Sequence, residues 1–166
     1  MSRRDAIKMS PEEVLAFLEE QRTVTCATNG HNGFPHLMPL WYVLRDTQPP
    51  SSAGTGGQER IWAWTYAKSQ KVKNLERDPR ATLQVETGVE YAELRGVMLR
   101  CDVEIHRDVD VVVDFAVELV GRYSGTGPEH DGARDAFRAQ APKRVALEFV
   151  ERERVTWDHR KLGGAY

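Results

Sequence analysis

The sequence is poor in cysteine, in long apolar runs and in net charge, and each shortage removes a class of function. Only Cys26 and Cys101 occur among 166 residues, both inside apolar strand-like runs, which predicts buried reduced thiols and no disulfide framework. No stretch approaches the roughly 18 apolar residues of a membrane span, and no apolar signal core follows Met1-Ser2-Arg3-Arg4-Asp5. A cytoplasmic protein without membrane contact is expected. The formal charge of -2 is too small to draw the whole chain to nucleic acid, so any anion site must be local.

Familiar catalytic signatures are missing too. The five histidines, His31, His36, His106, His130 and His159, lie in separate segments without the paired spacing of a zinc site, so no metal is expected. No Gly-x-Ser-x-Gly elbow or Cys-His signature supports a covalent hydrolase, and the Gly121–Gly127 stretch lacks the Gly-Lys-Ser/Thr ending of a nucleotide loop. Redox chemistry, if present, then falls to a bound cofactor.

What is present suits one globular domain over residues 1–166, with 40% hydrophobic and 29% charged residues. Ser10-Pro11-Glu12-Glu13 opens a helix with a capping box, and Val14, Phe17 and Leu18 mark its buried side. Strands are predicted at Thr23–Thr28, His36–Val43, Ile61–Tyr66, Ala81–Glu86, Val97–Ile105 and Val145–Val150, with a loop over Thr47–Gln58. Pro39 cannot donate to a ladder and belongs at an edge or bulge. Asp108 caps a helix carrying Val112, Phe115, Leu119 and Tyr123, a shorter helix follows to about Gln140, and residues 154–166 read as a polar tail. Hairpin-linked strands with few helices predict an antiparallel, mainly β barrel with helices outside it.

Tyr66 to Arg80 is the most informative segment. From Lys68 to Arg80 the chain carries a local charge of +3, which leaves -5 for the remainder. A helix start offers unpaired amides and a positive dipole end, on which the Ser69 hydroxyl and the Lys68 and Lys71 ammonium groups can converge. That combination binds a phosphate monoester. An ordinary capped helix with a solvated basic face would carry the same residues.

Lys68-Ser69-Gln70-Lys71-Val72-Lys73-Asn74-Leu75-Glu76-Arg77-Asp78-Pro79 resembles the phosphate-binding corner of pyridoxamine-phosphate-oxidase-like split β-barrels, and the order of elements is similar over nearly the whole chain. The tail motif Trp157-Asp158-His159-Arg160-Lys161-Leu162-Gly163-Gly164 is similar to that of the deazaflavin-dependent actinobacterial branch. The resemblance implies that Ser69 and Lys71 meet a cofactor phosphate and that the protein is a homodimer with a site in each groove between subunits. It also implies that an isoalloxazine-like ring lies against Met38, Pro39, Leu40, Trp41 and Tyr42. Thr65, next to last in the aromatic strand beside this corner, is a further candidate cofactor contact. Arg95 and Gly96 read as a close approach of a strand to cofactor or dimer mate, or as a barrel bend. Trp157, Arg160 and Lys161 read either as a cover over the cofactor or as a frayed end.

The function so implied is hydride transfer between reduced coenzyme F-420, an 8-hydroxy-5-deazaflavin, and a small conjugated substrate such as a quinone, an enone or a tetrapyrrole. Lys73, Arg77 and Arg80, with Arg160 and Lys161, would track that coenzyme's oligoglutamate tail. An FMN-binding oxidoreductase would use the same Ser69 and Lys71, and a non-catalytic carrier would bind without turnover. No residue stands out as the proton donor between Tyr42, Tyr66 and solvent.

Overall fold

The computed structural model describes residues 2–47, 58–125 and 133–163. After a single turn of helix, α1 (Arg3–Ala6), helix α2 (Pro11–Glu20) starts at Ser10, whose Oγ accepts the Glu13 N–H while the Glu13 carboxylate accepts the Ser10 N–H. The strands are β1 (Thr23–Asn29), β2 (Pro35–Thr47), β3 (Gln58–Tyr66), β4 (Arg80–Thr87), β5 (Arg95–His106) and β6 (Arg144–Asp158). Helix α3 (Gln70–Arg77) joins β3 to β4, and α4 (Val109–Ser124) and α5 (Ala133–Gln140) lie between β5 and β6.

The six strands close antiparallel into a barrel in the order β1-β2-β3-β6-β5-β4. Alternation fixes the two faces. Val24, Cys26, Tyr42, Ile61, Ala63, Leu83, Val97 and Leu147 fill the interior, where Val14, Phe17 and Leu18 of α2 and Val72 and Leu75 of α3 join them. On the outer face Val43, Trp62 and Ala146 pack under Val112, Phe115 and Leu119 of α4.

One departure from the sequence reading has a plain cause. The last strand does not stop at Val150: it runs to Asp158, because Val155, Thr156 and Trp157 continue the pairing with Val97, Gly96 and their neighbours on β5. A register shift near Arg100 and Cys101 absorbs the charged run Glu151-Arg152-Glu153-Arg154 that hid this continuation. Only His159–Leu162 forms a final turn of 3₁₀ helix. The expected loop beyond Thr47 falls on residues 48–57, outside the described residues.

The split lies between β2 and β3. Pro35–Trp41 pairs with β1, whereas the ladder to β3 covers only Tyr42–Thr47. The Tyr42 N–H and C=O both turn toward β1, where the Tyr123 hydroxyl bridges them. By alternation Pro39 faces β3 without an N–H, so the ladder cannot continue there. Beyond that point Trp64, Thr65 and Tyr66 pair with β6 alone. Among the described residues, no helix is long and apolar enough to cross a membrane.

Candidate cofactor site

Helix α3 begins at the open end of this split. Ser69 caps it weakly, its Oγ accepting the Val72 N–H at 3.4 Å and lying 3.4 Å from Thr65 Oγ1. Asn74 ties the helix to β1 by donating to Thr28 Oγ1 at 3.1 Å, with both side chains buried. These bonds hold the first turn in place.

Lys71 on that turn is only 4% exposed and has no carboxylate or hydrogen-bond partner among the described residues. Burial pulls its ammonium below the ordinary lysine value, with the neighbouring Cys26 thiol acting weakly the other way. The Lys71 Nζ keeps some contact with solvent, and partial desolvation without a counter-ion disfavours its charged form. An anion at the α3 start would remove that cost, and the Ser69 hydroxyl and exposed Lys68 and Lys73 flank the same turn.

The β2 side of the split is uneven. Met38 is 43% exposed, Leu40 is half-buried against the interior, and Trp41 is 56% exposed with its ring stacked on Tyr123 at 4.5 Å. Tyr42 differs: its side chain is fully buried, and its hydroxyl donates to the Leu18 carbonyl at 2.5 Å. Burial also raises that phenol, so Tyr42, whose backbone turns toward β1, offers the split no free polar group and is unsuited to give up a proton. Arg144 was not singled out by the sequence. It pairs with Tyr66 across β3 and β6, and its guanidinium lies 3.6 Å from the Tyr66 ring centre and 4.6 Å from that of Trp64. No local motif marks it, because the pairing joins residues far apart in the chain.

Arg95, Trp157, Arg160 and Lys161 lie elsewhere. Arg95 pairs with Thr87 and Asp158, at the end where β4 stops and β6 finishes, while α3 sits where β4 begins. A strand of this length separates the ends by about 20–25 Å at ~3.3 Å per residue. Within one chain these residues cannot cover the corner. Each is already engaged: Arg95 on Glu20 at 2.5 Å, Arg160 on Asp158 at 2.6 Å, and Lys161 on both Glu13 and the Lys8 carbonyl at 2.6 Å. Trp157 lies on Gly96, where an added Cβ would come 2.3 Å from its ring. Gly96 therefore makes room for this chain's own tryptophan.

The expected basic track is likewise neutralised in part. Arg77 donates to the Asn29 carbonyl and Arg80 forms a two-pronged pair with Asp78. An outer groove of about 590 Å³ contains Arg80, Arg100 and Arg152, which pair with Asp78, Glu153 and Asp102. Of the predicted basic residues, Lys68, Lys71, Lys73 and Arg77 have no acidic partner among the described residues, and of these four Arg77 alone is tethered, to the Asn29 carbonyl.

Comparison with known proteins agrees with this geometry. A conserved hypothetical protein of Mycobacterium tuberculosis, Rv2991, is 37% identical, with a TM-score of 0.82 over 100% of this chain and 95% of that one. An F-420 reductase is 23% identical with a TM-score of 0.59, covering 87% of this chain and 98% of that one. A FAD-binding protein from Mesorhizobium loti is 17% identical with a TM-score of 0.60, covering 89% and 94%. No curated protein matches the chain. Residues 10–156 match the pyridoxamine 5'-phosphate oxidase family, and with the antiparallel barrel split between β2 and β3 the chain belongs to that family.

Proposed function

We propose that the chain is a cytoplasmic deazaflavin-dependent oxidoreductase that binds coenzyme F-420 with its phosphate on Ser69 and Lys71. The buried Lys71 without a counter-ion, on a helix start beside a split in the barrel, is the observation that carries this reading. The F-420 reductase among the proteins of the same fold supports the choice of coenzyme.

When bound, such a coenzyme supplies a hydride at its ring. The chain's own residues bind and orient. Lys71 and Ser69 hold the phosphate, Thr65 backs Ser69, and Lys68 and Lys73 offer exposed charge to carboxylates beyond it. The Pro39 carbonyl on the β3 side of β2 would face the ring edge, and Met38, Leu40 and Trp41 would give apolar cover that excludes water. With Tyr42 committed to the Leu18 carbonyl, Tyr66 beneath Arg144 or solvent supplies the proton. A second copy of the chain in a homodimer deepens the split and encloses a small conjugated substrate.

A second reading, FMN as the cofactor, is favoured by the pairing of Arg80 with Asp78 and the tethering of Arg77 to the Asn29 carbonyl, which shorten the track for an acidic tail. Fluorescence titration with both cofactors at low and high salt separates the two. Tighter binding of F-420, with a preference that shrinks as salt rises, is expected. Equal or tighter binding of FMN at low salt overturns the coenzyme assignment, and binding without any steady-state turnover leaves a carrier.

A further inference from the structure

On the outside of the barrel, Glu104 and His106 of β5 project to the same side as Glu148 of β6. Glu104 stands directly opposite Glu148, and His106 lies two pairs further along, opposite Ala146 and on the same face. One ligand atom from each of the three, two carboxylate oxygens and an imidazole nitrogen, lies within 4.8 Å of the other two. His106 Nε2 is 2.9 Å from Glu148 Oε2, and Arg60 holds the other Glu148 oxygen at 2.5 Å.

Carboxylates placed directly opposite one another on paired strands repel. Arg60 offsets one of the two charges. Glu104 has no cationic partner among the described residues, so the cluster of Glu104, Glu148 and Arg60 retains one net negative charge. A second observation lies in the same cross-strand row. Trp62, paired with Glu148, stacks its ring on His106 at 4.6 Å, and its buried Nε1 has no hydrogen-bond partner. The row thus holds an unneutralised carboxylate and, on the strand next to Glu148, a buried indole N–H without an acceptor. A cation would remove the repulsion by drawing the two carboxylates together.

We propose that Glu104, His106 and Glu148 form a binding site for one divalent transition cation of the zinc or nickel class. The geometry needs little change. Two ligands at about 2.1 Å from a metal and near a right angle stand about 3 Å apart, which is the present separation of the His106 and Glu148 atoms. Glu148 is buried and held by Arg60, and the His106 ring is held by Trp62, so two of the three ligands are already fixed. Exposed Glu104 closes on the ion from β5, and water completes the shell. One nitrogen with two carboxylates suits borderline transition metals, whereas magnesium and calcium favour fuller oxygen shells. The histidine spacing in the sequence concealed the site, because its third ligand comes from a different strand.

Isothermal titration of the metal-stripped full chain with zinc chloride and with nickel chloride tests this. One ion per chain is expected to bind with a dissociation constant around micromolar or below, with proton release on binding and a higher melting temperature. His106→Gln should abolish the site. Glu104→Gln, at an exposed position that leaves the Arg60–Glu148–His106 bonds intact, should weaken it roughly tenfold or more and suppress the rise in melting temperature. Absence of stoichiometric binding, undiminished binding in a folded Glu104→Gln protein, or equal binding of magnesium overturns the proposal.

Discussion

The two ends of the barrel treat their cations in opposite ways. Where β4 stops, Arg95, Arg160 and Lys161 each meet a carboxylate on Glu20, Asp158 or Glu13, and the Asp158 N–H donates to the Ile7 carbonyl to fasten the chain's two terminal segments together. Where β4 begins, Lys68, Lys71 and Lys73 have no acidic partner among the described residues, and Lys71 is buried. The first end is closed by its own charges. The second is left to be completed by something acidic from outside the chain, which is the pattern expected of an anion site.

Removing the Lys71 ammonium should break this contrast most strongly. Lys71→Met is expected to weaken binding of a phosphate-bearing cofactor by about 1.5–3 kcal/mol, roughly ten- to hundredfold, as for other charge-assisted hydrogen bonds. The cofactor-free protein should become more stable, because an apolar side chain of similar length replaces an unpaired charge. Cofactor titration and thermal melting read the two effects separately, and a joint loss of affinity and stability would mark Lys71 as structural. Alkali should act in the same sense. The Lys71 ammonium is held below its ordinary 10.5 by burial, so the folding penalty is full while it is protonated and is relieved as pH rises through its folded value. Cofactor affinity should therefore fall with rising pH in a window just below 10.5, while the stability of the free protein rises.

The sequence made the corner legible because its parts are local: cap, helix start, lysines and Asp78-Pro79 all fall within about one short helix. The split was legible only through Pro39, whose missing donor stops the ladder to β3. Partnerships formed across the chain were not. Nothing near Lys161 in sequence signals Glu13, nothing near Tyr66 signals Arg144, and the run Glu151–Arg154 disguised a strand that continues to Asp158. A basic residue in a sequence is therefore only a candidate cation for a ligand. Its availability depends on pairing that tertiary structure decides.

Tyr42 sharpens the comparison by a smaller amount. Its phenol belongs to the interior, donating to the Leu18 carbonyl, which also accepts from Arg122 at 2.9 Å. Tyr42→Phe should cost about 1 kcal/mol of folding stability, since Leu18 keeps one of its two partners. Turnover should be unchanged once the folded fraction is accounted for. A large loss of turnover rate at full cofactor saturation would return Tyr42 to the list of proton donors.

The smallest effect is expected at the closed end. Arg160 holds the Asp158 carboxyl below the usual carboxylate range, chiefly through their hydrogen bonds, and its own side chain is largely exposed. Such a pair is worth about 0.2–1 kcal/mol, and the Asp158 oxygen retains the Arg160 N–H as a cap in any case. A depressed carboxylate contributes stability above its unfolded value near 4 and loses it as pH falls through the folded one, so Arg160→Ala should lessen acid destabilisation below about pH 4. Cofactor affinity should shift by less than about twofold, because a cation already engaged by a carboxylate has little left to offer a second anion. Lys161→Ala, which frees Glu13 without touching Asp158, should behave alike. If either change weakens cofactor binding tenfold while melting is unaffected, the closed end meets the split of a second copy, and the contrast between the two ends would hold for the single chain but not for the assembly.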